Sequence, residues 1–426
     1  MLNVLKMAIR NLARFHRRTL LTSTLITLGI VAVLLFIATA GSFKAMMIGQ
    51  FTDAILGHLE VHRRGYVASI DNLPLNLNIQ PTMVGKIEQV LDKMEGVEAY
   101  SERVKFGAMF SNFNETTSVR VNGIDPRKEA ATTPLMPGRI IEGSKEALLG
   151  KSGDILIPTL LARGLKLKVG DTVVLVATNR DGSVNGRTFT VSGVMEAVSG
   201  PSGRDAYIRA DDARTLLRMT QPEVSEIAIR LKDPAGIEQA RAQLAEQIGA
   251  LVGQGAKPDP AKKAAGTPGG LEVHTWAALS PFSNIANMID LLTLFIKIML
   301  VSIVLISILN VMVMAVYERI REIGTIAAIG TPPRRILSLF LTEGLLLGVG
   351  GALLGTVISL AAIYALNVWK ITFNFGMQQG LVLSPAISPK DVLIIVGLVV
   401  FMGLLASLQP AWKASRMDPV RALGHV

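Results

Sequence analysis

The chain has no cysteine, which excludes disulfide cross-links, thiolate nucleophiles and cysteine-held metals or clusters. It is also short of charge. Only 18% of its 426 residues are Asp, Glu, Lys or Arg and 50% are hydrophobic, whereas a soluble domain carries roughly 25% charged residues. With a mean hydropathy of +0.43, that shortage indicates a membrane protein with room for a soluble domain. Histidines number five. His58 and His62 stand four apart in H-L-E-V-H, which is not the H-E-x-x-H order of zinc hydrolases. After Gly57 the segment reads as a surface strand with His58, Glu60 and His62 on one solvated face, so no metal site is expected. His16, His274 and His425 are isolated, and no serine or acid pair has the context of a nucleophile or general acid–base, so no catalytic residue is expected. Gly150-Lys151-Ser152 imitates the end of a phosphate-binding loop. Such a loop needs a glycine five residues earlier, where this chain has Lys145.

What charge there is sits unevenly. The net +10 suggests nucleic acid, but residues 1–18 carry Lys6, Arg10, Arg14, Arg17 and Arg18 without an acid. Residues 317–335 set Arg319, Arg321, Arg334 and Arg335 against Glu318 and Glu322, the tail is basic, and 42–288 is nearly neutral. Positive charge beside apolar runs marks cytoplasmic loops, so no nucleic-acid partner is expected and membrane lipid is.

The apolar runs define the organisation. Leu2, Leu5, Ile9 and Leu12 against Lys6, Arg10, Arg14 and Arg17 make residues 1–18 a cytoplasmic amphipathic helix for the inner membrane surface. Residues 19–41 are long enough to span a core of roughly 30 Å. They are read as a retained anchor despite Ala38-Thr39-Ala40, because the run exceeds a signal-peptide core. Further spans are expected at 289–316, 334–367 and 391–410, with a short periplasmic connection at 368–390 and a cytoplasmic tail at 411–426. The large segment 42–288 then lies in the periplasm and 317–335 in the cytoplasm, in line with the charge. The fold class is thus membrane α-helical with four transmembrane helices and a large extracytoplasmic α+β domain between the first and second.

Within 42–288, helical spacing predicts helices over 81–94 and 237–251, and β-branched runs predict strands over 118–124, 171–178, 187–194 and 227–231. Residues 253–270 read as a flexible Gly/Pro/Ala/Lys linker. Gly344, Gly348, Gly351 and Gly355 form two G-x-x-x-G steps suited to close helix packing. Between the second and third spans, 317–335 reads as a short amphipathic helix. Its charges are Glu318, Arg319, Arg321 and Glu322, its apolar stripe Ile323, Ile326, Ala327 and Ile329, and Gly330 with Pro332 and Pro333 stops it.

Three strings in this order carry a resemblance: Ala8-Ile9-Arg10-Asn11-Leu12 with Arg17-Arg18-Thr19 and Gly29-Ile30; Glu318-Arg319-x-Arg321-Glu322-Ile323-Gly324 with Ala328-Ile329-Gly330, Arg334-Arg335 and Glu343; and Pro410-Ala411, Ala414, Asp418-Pro419 and Ala422-Leu423. The chain resembles permeases of the MacB, LolC/LolE and FtsX superfamily of ABC transporters. Val121-Asn122-Gly123-Ile124-Asp125-Pro126, residues 155–173 and Val191-Ser192-Gly193-Val194 are similar to its lipoprotein-release branch. The turn at 179–187 is shorter than the protruding hook of LolC. The resemblance implies a non-catalytic, mechanotransmission subunit without cofactor, ATP-Mg being bound by a partner cytoplasmic ATPase. It implies a dimer with a second copy or a paralogous permease, lipoprotein release as the function, and a periplasmic adaptor or lipoprotein chaperone as a further partner. Glu318, Arg319, Arg321, Glu322, Ile323, Gly324, Ala328, Gly330, Arg334 and Arg335 would form its ATPase-docking coupling helix. MacB-like export of peptides or amphipathic drugs and FtsX-like signalling to a cell-wall hydrolase stay open as alternatives.

Overall fold

The computed structural model describes residues 2–143, 149–196, 201–252, 270–280, 282–375, 378–418 and 422. Lys145, most of the 253–270 linker, Pro419, Leu423 and His425 lie outside the described residues. The chain divides into two compact units, one holding the long apolar helices and one holding the inserted domain.

Four helices are long and apolar enough to cross a membrane. The first runs over His16–Phe51, ten residues past the end expected at 41, and passes into a π-helical turn at Thr52–Leu56. Gly57 closes that turn at φ 78°, where a side chain would be strained. The second covers Phe282–Glu318, the third Pro333–Trp369 and the fourth Pro389–Ser415, whose first turn is capped by the Ser388 hydroxyl accepting from the Lys390 N–H. The 368–390 connection is more than a loop, since it contains the paired strands Thr372–Phe375 and Gln378–Val382.

The glycines of the third helix serve two neighbours. A Cβ on Gly344 would lie 2.6 Å from that of Ser407 in the fourth helix, and Gly348 faces Val400 beside it. A Cβ on Gly351 or Gly355 would collide with Ile26 or Ile30 of the first helix. Lipid offers apolar side chains no reason to leave it, so close backbone approach and dispersion hold such helices together.

The inserted domain is built on one ten-stranded sheet. Its strands are β1 (Leu59–Arg63), β2 (Val97–Ser111), β3 (Thr116–Ile124), β4 (Ile140–Gly143), β5 (Asp154–Pro158), β6 (Thr172–Thr178), β7 (Val184–Met195), β8 (Asp205–Arg209), β9 (Glu226–Leu231) and β10 (Leu271–Thr275). Their order is β10-β1-β9-β2-β3-β8-β5-β7-β4, with β6 pairing both β2 and β7. Two cores lie along it. Leu59, Val61, Ile227 and Ile229 pack with the helices Pro81–Leu91 and Ile237–Val252, while Phe106, Phe110, Val121, Val173, Leu175 and Phe189 build the other. The 15-residue β2 reaches both, so the cores share a backbone. The β6–β7 connection is a tight turn in which Asn179 N–H donates to Ser183 and Asp181 accepts from Ser183 N–H.

The strand expected at 58–62 is present, but its solvated face is not. β1 is central, paired with β9 and β10, and His58, Glu60 and His62 are all buried. The alternation there is misleading because these polar side chains face partners inside the protein: His62 lies against Glu60 and Glu226, and His58 Nδ1 accepts from the Leu231 N–H. The Gly150-Lys151-Ser152 turn is likewise structural: Asp212 accepts from the Ser152 hydroxyl at 2.6 Å and from the Gly153 N–H at 2.9 Å.

Candidate functional site: the 317–335 loop

The second helix ends at Glu318, and Arg319 leaves the helical region at φ −112°, ψ 16°. A nine-residue helix, Ile320–Ala328, follows. Gly330 then takes φ 96° and Pro333 opens the third helix, its missing N–H costing nothing at a first turn. Ile323 and Gly324 of the short helix are buried and Ile326 and Ala327 half-buried, so most of the apolar stripe packs onto the protein's own helices. Ile329 is the exception, at 80% exposed. Tyr317, Glu318, Arg321, Ala328, Gly330, Arg334 and Arg335 are exposed with it.

Arg319 turns inward. Its Nη1 donates to both oxygens of Glu343 on the third helix, at 3.0 and 3.3 Å, and its Nε donates to Glu322 at 3.1 Å. The N-terminal helix, Leu2–Arg14, joins the same knot: Asn11 Nδ2 donates to Glu343 at 2.7 Å, and Arg14 pairs with Glu322 at 3.5 Å. The guanidinium lies 5.5 Å from the Phe15 ring centroid and 5.6 Å from that of Phe340, a flanking that suits a weakly hydrated planar cation. Glu343, buried to 1% exposure, thereby accepts three hydrogen bonds from two side chains. Of the expected docking set, Arg319, Ile323 and Gly324 thus face inward, Glu322 bridges, and the remainder face out. Asn11, Arg14 and Phe15 were not legible as partners of this loop.

A second polar cluster occupies the inserted domain. Arg103 on β2 donates to Glu129 at 3.1 and 2.6 Å and to Glu226 at 3.0 Å, and Lys105 reaches Glu226 at 2.6 Å. His62 Nε2 lies 3.3 Å from both Glu60 and Glu226. Burial pulls the His62 pKa down, but hydrogen bonds to Glu226 and Glu60 outweigh it and hold it at about 9. Burial pushes Glu226 up, and Lys105, His62 and Arg103 together bring it well below the usual carboxylate range. Glu60, His62 and Glu226 have the spacing of metal ligands. With His62 protonated, however, Arg103, Lys105 and His62 already balance Glu60, Glu129 and Glu226, and a dication would have to displace cations from their carboxylates.

Family comparisons agree with this architecture. Residues 19–247 match the MacB-like periplasmic core domain and residues 294–419 the FtsX-like permease C-terminal domain. The lipoprotein-releasing system transmembrane protein LolC of Neisseria meningitidis is 23% identical over 94% of this chain and 92% of its own length. LolE of Haemophilus influenzae is 22% identical over 79% and 80%. The macrolide export ATP-binding/permease protein MacB of Bdellovibrio bacteriovorus is 25% identical over 80% of this chain but only 49% of that protein. Among solved structures, the periplasmic region of MacB from Actinobacillus actinomycetemcomitans aligns with 58% of this chain at 11% identity and a TM-score of 0.37. The two matched domains are both permease domains and between them cover most of the sequence. The chain belongs to the MacB/LolC/FtsX superfamily of ABC transporter permeases.

Proposed function

We propose that this chain is the non-catalytic membrane subunit of a mechanotransmission transporter, and that the 317–335 loop is where a separate ATPase docks and delivers motion. ATP and Mg²⁺ are held by that partner. The observation that carries the reading is the division of labour around Arg319. The start of the short helix is locked through Arg319 and Glu343 to the third helix and the N-terminal helix, while the short helix exposes Arg321, the turn after it Ile329, and the first turn of the third helix Arg334 and Arg335. A lever needs both a rigid anchorage and an exposed surface for contact. Basic side chains around an apolar anchor suit a docking groove with acidic walls. The loop and termini lie in the cytoplasm in this reading, the inserted domain in the periplasm, and two such subunits form the core.

Lipoprotein release from the inner membrane is the favoured output, because the relatives named for that system match over most of their own length. The short 179–183 turn leaves delivery to a chaperone to a partner subunit. Export in the manner of MacB is the second reading, supported by relatives named for macrolide export that match in the same two domains.

Arg321→Glu tests the docking. In membranes co-expressing the native partners, it is expected to lower ATPase co-purification at least fivefold while chain insertion is unchanged. Wild-type co-purification and ATPase stimulation in that variant would sink the assignment. Mass spectrometry of material co-purified with the wild type, scored for lipoprotein against small amphipathic drugs, separates the two outputs.

A further inference from the structure

Two recesses in the inserted domain share Asp71, Leu73 and Arg120 in their walls. The smaller, of about 270 Å³, has an apolar side of Phe51, Ile55, Leu56, Leu279 and Phe282. Phe51 is the last residue of the first long helix and Phe282 the first of the second, and their rings stack with centroids 4.1 Å apart. The larger, of about 510 Å³, is mixed: Asn72, Ser118, Thr178 and Arg204 line it together with Leu73, Met109 and Val176. Polarity therefore rises from Phe282 towards Arg204.

The polar groups are unequal in what they offer. Arg103, Lys105, Arg120 and Arg204 line the two recesses against only Asp71 and Asp205. Arg103 is occupied by Glu129 and Glu226. Lys105, with three N–H groups, makes one ion pair among the described residues, with Glu226, and Arg120, with five, gives its Nε to Asp205 at 2.8 Å. Arg204 is exposed and has no carboxylate partner among the described residues. Donors thus outnumber acceptors where the recesses meet. Asp71, Asn72 and Leu73 come from a segment built of two 3₁₀ turns, Val67–Asn72 and Leu75–Leu77, and between these Leu73 is held at φ 45°, a left-handed conformation unfavourable for a leucine. Strain of this kind persists where surrounding structure demands it and clusters at ligand sites.

We propose that these recesses form a binding site for an amphiphile with an acidic head group, its carboxylate or phosphate at Arg120 and Arg204 and its apolar chain against Phe51, Leu279 and Phe282. A cationic head would leave the donors unmet and face like charge. The site goes beyond the transport reading and does not depend on it, since its test contains no ATPase.

The test uses the full chain in phosphatidylcholine nanodiscs with a diazirine-bearing fatty acid, cross-linked by light and mapped by peptide mass spectrometry. Labelling is expected on peptides containing Leu279 and Phe282. Ile70→Trp, which fills the apolar recess, should lower it at least fivefold, and Arg204→Gln, on an exposed side chain, at least threefold. The double variant with Arg120→Gln should lower it further, with unfolding followed alongside by circular dichroism. Competition by unlabelled oleate alone assigns a free acid as the source, and competition by short-chain phosphatidylglycerol assigns a membrane lipid. Equal competition by methyl oleate, or labelling that survives Ile70→Trp and Arg204→Gln, overturns the proposal.

Discussion

Two buried arginines of this chain are held by carboxylates, and the difference between them separates a weld from a joint. Arg103 sits within a single sheet: its partners Glu60 and Glu226 lie on neighbouring strands β1 and β9, and Glu129 on a helix whose N-terminus Asp125 caps. Arg319 sits where two helices part, and its partners belong to the short loop helix and the third helix, with Asn11 drawing in the N-terminal one. The chemistry is the same in both. The first ties one short helix to a sheet, whereas the second ties three separate helices together, and there a bonded carboxylate, Glu322, remains 41% exposed.

The contrast is broken most severely at the weld. Arg103→Met leaves three buried carboxylates short of their main counter-charge and is expected to destabilise the inserted domain by about 3–5 kcal/mol, read as a lowered thermal midpoint of the full chain in detergent. Arg319→Met is expected to lower that midpoint less, because Glu343 keeps Asn11 and Glu322 reaches solvent, but to abolish ATPase stimulation. If both variants lose only stability, the joint is merely another weld.

The proton on His62 is the next lever. Its folded pKa of about 9 lies above the ordinary 6.5, so the folded state binds that proton more tightly. The stabilisation, about 3 kcal/mol, is complete below pH 6.5 and is lost as pH rises to 9. Denaturation midpoints at pH 6 and 9 should differ accordingly, and His62→Gln should flatten the slope. Smallest is the expected stability change in Arg334→Glu, within about 0.5 kcal/mol, since the side chain is exposed and its effect is on the partner. A large loss of stability there would show that the exposed face also holds the fold.

The long helices were legible because lipid imposes a composition, and the ends of β3, β6, β7 and β9 because β-branched runs stop at turn residues. β2 was not. Val104, Phe106, Ala108 and Phe110 alternate as a half-buried strand should, but Glu102 and Arg103 interrupt the pattern in its first half. The same charges hid the cluster: Glu60, Arg103, Glu129 and Glu226 are apart in the chain, strand register brings Glu60, Arg103 and Glu226 together, and Glu129 arrives on a helix. In the loop, residue types and helical period identified the elements but not their facing. Nothing local distinguishes Arg319, which turns inward, from Arg321, which does not. The distinction depends on Glu343, 24 residues further on.

The seam between the first and third helices also dictates timing. Ile26 and Ile30 are made early, and the glycines that receive them, Gly351 and Gly355, emerge only after the whole inserted domain has been synthesised. At roughly 5–20 residues per second, the first helix waits on the order of tens of seconds in the bilayer without its neighbour. Its own hydrophobicity must keep it there meanwhile, and the inserted domain has time to fold before the first and third helices close on one another. A substitution such as Gly355→Val would then act late in biogenesis: the chain would insert with normal topology and fail at helix assembly, leaving a correctly threaded protein exposed to quality-control proteolysis.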